Sequence, residues 1–179
     1  SAVIDVNNIS LSNSTTLNIT GATANATVVV STQVLKTATQ PKAKTLTSVT
    51  LNDVTPATTI SLGKADVYKV DTITSDGVDV TNQYTLNNGQ TEYYYGIGFL
   101  TLIGVLPSSN LTITFSYFAH SGTGDYFSVD SYRDAFPAGT DYISSVPTFR
   151  SPTTSIQYPL KNYIDFRPTI GIANDGSES

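Results

Sequence analysis

The stretch from Leu111 to Ala119, LTITFSYFA, alternates between apolar and polar side chains and decides the fold class. Its odd-numbered residues up to Tyr117 are apolar or aromatic, whereas the even-numbered residues up to Ser116 carry hydroxyl groups. A period of two is that of a half-buried β-strand, because successive side chains of a strand point to opposite faces of its sheet. The stretch therefore predicts a strand with one face in a hydrophobic core.

Further strands are predicted on both sides of this stretch, separated by turn signals. Turns are indicated at Pro56, at Asp76-Gly77 and at Asn87-Asn88-Gly89, the last being the strongest hairpin signal in the chain. Short strands at regular spacing are typical of a β-sandwich, so we predict an all-β protein with an immunoglobulin- or fibronectin-like general architecture. The predicted strand segments are 26–35, 45–51, 58–73, 93–103, 111–119 and 126–132.

The composition agrees with an all-β fold. The 179 residues include 28 Thr, 20 Ser and 12 Asn, and only 13% of residues are charged. Helix surfaces depend on Glu, Lys, Gln and Arg, whereas Thr, Val, Ile and Tyr suit a pleated sheet. The composition thus argues against a helical bundle.

Several classes of function are excluded or disfavoured by what the chain contains. It has no Cys, which excludes disulfides, thiolate metal sites and a cysteine nucleophile, and a single His excludes a multi-histidine metal site. A net charge of −5 argues against nucleic-acid binding, and no apolar run is long enough to span a membrane. The chain contains no Met, so we expect it to be either a processed chain or a piece of a longer protein, and we favour the second interpretation.

The sequence predicts three regions. Residues 1–132 form the sandwich domain, with 1–20 as a peripheral strand or linker, and 171–179 form a flexible tail. Residues 133–170 combine five prolines with large apolar side chains, which predicts an ordered, irregular arm with a short edge strand that ends at Pro168. The arm is expected to dock on its own sandwich or on a neighbour through Phe149, Tyr158, Ile164 and Phe166.

No catalytic, cofactor or metal site is predicted, and we expect the protein not to be an enzyme. His120 lies beside Ser121 in a predicted loop, but adjacent residues rarely form a nucleophilic triad. Paired carboxylates that could hydrolyse a glycoside are also turn formers, and the Asp76-Gly77 region lacks the ligand spacing of a calcium loop. The carboxylates in question are Asp125, Asp130, Asp134 and Asp141.

The aromatic residues and one arginine give the candidate interaction residues. Three consecutive tyrosines cannot all face inward in a strand, so at least one of them faces outward or meets a partner. Asp165 and Arg167 fall on one face of the arm, where they can pair, or Arg167 can bind a neighbouring carboxylate or carbonyl. The candidates are Tyr93, Tyr94, Tyr95, Phe149, Tyr158, Phe166 and Arg167.

Three stretches of the chain form a pattern when they are taken in order. They are Asn88-Gly89-Gln90 with Tyr93-Tyr94-Tyr95, the run from Phe115 to Tyr132, and Tyr163-Ile164-Asp165-Phe166-Arg167-Pro168. Together they resemble a domain of virion structural proteins of contractile-tailed bacteriophages (myoviruses), notably large tail- or baseplate-associated proteins of marine and cyanophage-type phages. The resemblance covers residues 20–170 and departs from the pattern at Gly96, where a polar residue is expected.

The resemblance implies a structural module of a phage tail, baseplate or fibre, located in the virion and made in the host cytoplasm. Its expected partners are other virion proteins or flanking domains of the same chain, with homo-oligomerisation as a further possibility. The first alternative is a module that binds a host-surface carbohydrate, and the second is a tail-associated polysaccharide hydrolase that uses Asp side chains. No cofactor, nucleic-acid partner or membrane span is expected.

Overall fold

A computed structural model describes residues 4–13, 16–22 and 39–170 of the chain. Its contacts divide the chain into two units, residues 1–37 and 38–179. The boundary differs from the predicted one at residue 132, because the arm belongs to the same unit as the sandwich. The strand predicted over 26–35 and the tail predicted over 171–179 lie outside the described residues.

The first unit contains a small antiparallel hairpin. A single 3-10 turn, Val6–Asn8, is capped by the Asp5 side chain, which accepts a hydrogen bond from the Asn7 backbone N–H. Strand β1 (Ile9–Leu11) then pairs with β2 (Leu17–Ile19). The peripheral strand predicted within 1–20 is therefore two short strands, whose residues are exposed or half-buried.

The second unit is built on two antiparallel sheets, so the predicted all-β, sandwich-like fold is confirmed. Four strands lie in the order β3-β9-β5-β6, and three strands lie in the order β4-β8-β7. A 3-10 turn, Thr81–Gln83, precedes β7. The strands are β3 (Ala43–Val54), β4 (Thr59–Ala65), β5 (Val67–Ser75), β6 (Val78–Asp79), β7 (Tyr84–Asn87), β8 (Ile97–Leu102) and β9 (Leu111–Ser121).

Strand β9 occupies the centre of the larger sheet, with β3 on one side and β5 on the other. Leu111, Ile113 and Phe115 are completely buried, as their alternation predicts, and Thr112 and Thr114 are half-buried on the opposite face. Residues of both sheets contribute to the same hydrophobic cluster, which we call the sandwich core. The sandwich core consists of Ile60, Leu62, Val67, Ile73, Tyr84, Leu100, Leu111, Ile113 and Phe115.

Four predicted elements differ in the structure. The segment 58–73 is two strands, β4 and β5, because Asp66 between them adopts a left-handed φ of 52°. The strand predicted over 93–103 forms only over Ile97–Leu102. His120 was predicted in a loop but belongs to β9. The strand predicted over 126–132 is wrong: after two isolated bridges the chain forms a 3-10 turn, Val129–Tyr132, because Ser128 and Ser131 cap its first turn reciprocally.

The hairpin predicted at Asn87-Asn88-Gly89 joins β7 to β8, but its loop extends over residues 88–96. The loop closes on itself where the Gly96 N–H donates to the Gly89 carbonyl at 3.0 Å. A Cβ on Gly89 would lie 2.4 Å from the Gly96 carbonyl oxygen, and a Cβ on Gly96 would lie 2.7 Å from the Gly89 oxygen. Glycine at both positions thus permits the close approach that holds Gln90 and Tyr95 in place.

The arm, residues 133–170, folds against the sandwich. It contains the single-turn helix α1 (Tyr142–Ser145), the hairpin of β10 (Thr148–Arg150) with β11 (Gln157–Pro159), and a 3-10 turn, Leu160–Asn162. Its apolar side chains cover the end of β9 and form a second hydrophobic cluster, which we call the arm core. The arm core consists of Phe118, Tyr132, Ala135, Val146, Phe149 and Leu160.

The prediction that four arm residues dock on an apolar surface is half right. Phe149 is buried and Tyr158 is half-buried beside it. Ile164 and Phe166 are 62% and 68% exposed, because the backbone turns Asp165 and Arg167 inward instead. The predicted end of backbone pairing at Pro168 is also wrong. The Pro168 carbonyl accepts a hydrogen bond from the Tyr95 N–H at 2.8 Å, and beyond it the Ile170 N–H donates to the Tyr95 carbonyl at 2.9 Å.

Candidate functional site

A cluster of polar and charged side chains lies buried between the end of β9, the 88–96 loop and the end of the arm. We call it the buried polar cluster. Such groups are rarely buried unless each is paired, and here nearly all of them are. The cluster consists of Lys44, Asp66, Gln90, Tyr95, His120, Asp165, Arg167 and Thr169.

Asp66 is the centre of the cluster and receives three donors. The Lys44 ammonium donates to Oδ2 at 2.6 Å, His120 Nε2 lies 2.8 Å from the same oxygen, and Gln90 Nε2 donates to Oδ1 at 2.8 Å. Lys44 and His120 are opposite each other in the β3–β9 register, so the sheet itself sets their spacing. The left-handed bend at Asp66 then turns its carboxylate toward both of them.

Tyr95 and Asp165 connect this centre to the arm. The Tyr95 hydroxyl accepts a hydrogen bond from Lys44 Nζ at 3.1 Å and donates one to Asp165 Oδ2. Asp165 exchanges two backbone hydrogen bonds of 2.8 Å with Phe127, which fixes its position against the sandwich. The phenol thus links the strand that carries Lys44 to the last part of the arm.

Arg167 closes the cluster. Its guanidinium forms an ion pair with Asp165 through Nε at 3.0 Å and Nη2 at 2.8 Å, as the alternation of the two residues predicted. Nη1 donates to the Thr91 carbonyl at 2.8 Å and Nη2 donates to the Tyr95 hydroxyl at 3.1 Å. Both alternatives foreseen for Arg167, an ion pair and a carbonyl contact, are therefore present.

Aromatic rings enclose the two cations. The Lys44 ammonium lies 4.2 Å from the ring centroid of Tyr95, 4.4 Å from that of Phe127 and 5.0 Å from that of Tyr132. The Arg167 guanidinium carbon lies 4.2 Å from the centroid of the Phe149 ring. Cations are attracted to the faces of aromatic rings, so the rings offset part of the cost of burial.

Burial and the cluster's charges shift the pKa values of its members. Burial lowers the pKa of the Lys44 ammonium and of the His120 imidazole, and it raises the pKa of the Tyr95 phenol. Burial alone would raise the pKa of Asp165, but the hydrogen bonds from Arg167 and Tyr95 outweigh it and hold that pKa below its ordinary value. Near neutral pH the cluster therefore keeps a protonated phenol, a neutral imidazole and an ionised Asp165.

His120 also contacts a hydroxyl group. Its Nδ1 lies 2.6 Å from Thr169 Oγ1, so the Thr169 hydroxyl, the imidazole and the Asp66 carboxylate form a hydrogen-bonded series. Since a carboxylate only accepts, Nε2 carries the hydrogen and Nδ1 accepts from Thr169. This order is that of a nucleophilic triad, although here Lys44 and Gln90 bind the same carboxylate. The sequence predicted neither the contact of His120 with Asp66 nor its contact with Thr169.

Five of the seven predicted interaction residues meet in one surface depression, which we call the aromatic cleft. It has a volume of about 500 Å³ and lies on the arm side of the buried polar cluster, which it adjoins at Asp165 and Arg167. Tyr94 lines a separate, neighbouring depression, and Tyr95 is wholly buried. The aromatic cleft is lined by Glu92, Tyr93, Phe149, Tyr158, Leu160, Tyr163, Ile164, Asp165, Phe166 and Arg167.

The interaction candidates differ in how accessible they are. Tyr93 and Phe166 are exposed and Tyr158 is half-buried, so these side chains can meet a partner. Tyr95 is buried within the chain, so its predicted role in an interaction surface is corrected to an internal one, whereas Phe149, although also buried, lines the aromatic cleft. Arg167 is largely buried by its own contacts, with 10% of its side chain exposed in the cleft.

Two of the four carboxylates considered for glycoside hydrolysis are engaged by neighbouring residues of the sequence. Asp130 pairs with Arg133 at 2.7 Å on the surface, and Asp141 caps α1 through the Ser144 hydroxyl and N–H. Among the described residues, no group of three or more His, Asp or Glu side chains is arranged to hold a metal ion. Within the same ranges, no helix is long and apolar enough to cross a membrane.

The residues that sequence reasoning missed are Lys44, Asp66 and Gln90. One signal was available: Lys44 lies two residues before Leu46, so the two side chains share a face of the extended chain, and a charge on a face that packs needs a buried partner. Nothing in the sequence names that partner, because Asp66 and Gln90 reach it through a bend and a loop closure.

Comparison of the chain with models of protein families, with curated proteins and with solved structures returned no match.

Proposed function

We propose that the chain is a structural interaction module of a virion protein from a contractile-tailed bacteriophage. It joins neighbouring domains or subunits in a tail, baseplate or fibre, and it has no enzymatic role. The sequence resemblance described above supports the type of particle. The arrangement of the arm supports the interaction role.

The observation that carries the proposal is the inverted polarity of the arm's end. Asp165 and Arg167 point inward, while Ile164 and Phe166 between and beside them point outward. Together with Tyr93, which is 79% exposed, they form an apolar rim around the aromatic cleft. Contiguous exposed apolar surface on an ordered segment is characteristic of a protein–protein contact.

The occupant we propose for this surface is a neighbouring virion subunit. Cross-linking mass spectrometry on particles purified from a culture that carries the parent gene tests this. Lys161 lies exposed on the turn beside the cleft and supplies the reactive amine. We expect cross-links from Lys161 to another virion protein or to a second copy of the chain.

Matched variants make the test specific. Phe166→Ser should sharply reduce the intermolecular cross-links and the yield of intact particles, because it removes one of the three apolar side chains that form the rim. Val78→Ser changes an equally exposed apolar residue on β6 and should leave both unchanged. Particles without this chain's peptides, or Lys161 cross-links confined to its own chain, would contradict the proposal.

The second candidate is a carbohydrate-binding module, favoured by the chemistry of the aromatic cleft. Tyr93, Tyr158 and Tyr163 present rings to it, and Glu92 and Arg167 supply polar groups at its edge. Aromatic faces combined with a few polar groups suit sugar rings. Glycan-array binding that is lost in Tyr93→Ala but kept in Val78→Ser would favour this function over the first.

A further inference from the structure

The ion pair of Lys44 and Asp66 lies in surroundings that favour a reaction between its partners. The two side chains are 0% and 3% exposed, and Nζ lies 2.6 Å from Oδ2. A buried ion pair carries a large desolvation cost, which a neutral product would remove. The Lys69–Asp71 pair on β5 has nearly the same separation, 2.7 Å, but is open to water and has no such surroundings.

We propose that Lys44 and Asp66 condense to form an intramolecular isopeptide bond between β3 and the bend that joins β4 to β5. The Lys44 nitrogen forms a bond to Asp66 Cγ, and the bond from Cγ to Oδ2 breaks. Two protons of the ammonium group leave with Oδ2 as one water molecule. Atoms and charge balance within the ion pair, so the step needs no oxidant, cofactor or second substrate.

The groups around Asp66 are placed to assist this step. Gln90 Nε2 donates to Oδ1, the oxygen that becomes negatively charged when the amine adds to Cγ. His120 Nε2 lies 2.8 Å from Oδ2 and, as part of a neutral imidazole, donates a hydrogen bond that stabilises this oxygen while it departs with the two ammonium protons. Gln90 Oε1 has no hydrogen-bond partner among the described residues, so the side chain is held by its contact with Asp66.

Tyr95 positions the amine. Its hydroxyl accepts a hydrogen bond from Lys44 Nζ and donates one to Asp165, which orients the nitrogen while two of its protons pass directly to Oδ2. Burial lowers the pKa of Lys44, which brings the neutral, nucleophilic amine closer to neutral pH. The surrounding rings of Tyr95, Phe127 and Tyr132 keep water from reversing the condensation.

The intact mass of the folded 179-residue chain, measured after denaturation, tests the proposal. We expect a mass below the value calculated from the sequence by one water, about 18 Da. Trypsin should fail to cleave after Lys44, and residues 43–64 should be recovered joined to residues 65–69. The joined peptide should survive hydroxylamine, which opens the cyclic imide that Asp76-Gly77 would form with the same loss of mass.

Variants assign the bond. Lys44→Met and Asp66→Ala should each show the full mass calculated for their sequences, whereas Lys69→Met should keep the loss of one water. Gln90→Leu keeps both reacting groups and should slow the appearance of the lighter species about 100-fold, the effect of removing one oxyanion donor. This variant keeps the test informative if Lys44→Met fails to fold.

Other results would overturn the proposal. The proposal is wrong if the cooperatively folded chain retains its full calculated mass after days at neutral pH. A loss of about 17 Da would mean that ammonia had left an amide group, as in an ester of Thr169 with Gln90, and would exclude the Lys44–Asp66 bond as its source. A water loss that persists in Lys44→Met would exclude it as well.

Discussion

Phe149→Ala should destabilise the protein far more than Phe166→Ala, although both remove a phenylalanine from the same arm. Phe149 is 6% exposed, and its ring lies 6.0 Å from the ring of Tyr158 and 4.2 Å from the Arg167 guanidinium carbon. Truncating a buried phenylalanine to alanine costs about 3–5 kcal/mol, since it combines lost burial with a cavity. Phe166 is mostly exposed, so its truncation should change the free energy of unfolding by less than about 0.5 kcal/mol.

Urea unfolding followed by tyrosine fluorescence and far-ultraviolet circular dichroism measures the difference. The chain has 11 Tyr and no Trp, so tyrosine is the fluorophore that reports on the fold. For a slope of about 1–3 kcal/mol per molar urea, we expect Phe149→Ala to lower the midpoint by more than about 1 M. Phe149→Leu, which keeps more of the volume, should fall between Phe149→Ala and the unmodified chain.

The comparison tests how the arm docks. Equal destabilisation by the two alanine variants would mean that Phe166 is also buried and that the inward face of the arm is assigned wrongly. A larger effect of Phe166→Ala would refute the packing outright. Either result would also remove the exposed rim on which the proposed interaction role depends.

Four further predictions concern the same unit. Truncation after Tyr132 uncovers the arm core, so we expect no cooperative transition in calorimetry, and an unchanged melting temperature would contradict the packing. Arg167→Met leaves the Asp165 carboxylate buried without its cation and should lower the free energy of unfolding by about 3–5 kcal/mol in urea unfolding. The exposed Arg133→Met should leave the urea midpoint almost unchanged, and equal shifts of the midpoint in the two variants would contradict the cluster's role. Burial lowers the pKa of His120, so just below about pH 6.5 the unfolded chain binds a proton at this residue that the folded chain does not. The free energy of unfolding should therefore decrease as the pH falls below about 6.5. His120→Gln should reduce this pH dependence, measured by urea unfolding at a series of pH values. The lowered pKa of Asp165 adds a second loss below about pH 4, which a flat acid profile would rule out.

The elements that the sequence predicted correctly are those fixed by local alternation. In β9 the period of two places Leu111, Ile113 and Phe115 in the core, and each lies there. The same reasoning paired Asp165 with Arg167, because residues two apart share a face in an extended chain. Where one strand decides the contact, the sequence is sufficient.

The errors arose where tertiary contacts or capping overrode the local pattern. Residues 126–132 alternate like a strand, but Ser128 and Ser131 satisfy the backbone of a 3-10 turn. Ile164 and Phe166 are apolar enough to be buried, but the ion pair on the opposite face of the segment is held inside by Tyr95 and Thr91. The polarity of the side chains alone therefore does not predict which of the two faces of this segment is buried.

The buried polar cluster could not be assembled from the sequence because its members meet only through the fold. Lys44 and Asp66 are 22 positions apart, and Tyr95 and Asp165 are 70 apart. Their contacts require the β3–β9 register, the left-handed bend at Asp66 and the closure of the 88–96 loop at once. A motif defined by residue spacing in the sequence does not encode these three structural conditions.

The position of the buried polar cluster determines how tension would pass through the unit. Lys44 lies near the start of the sandwich and Asp165 near the end of the arm, yet Tyr95 bonds to both. A stretching force applied at residues 42 and 170 would therefore act first on the hydrogen bonds that join Lys44 of β3 to Tyr95 and Tyr95 to Asp165 of the arm. The sandwich core lies outside this series of hydrogen bonds, so its strands would keep their register until these contacts fail. The module would then behave under load as a short, stiff link rather than as an extensible one.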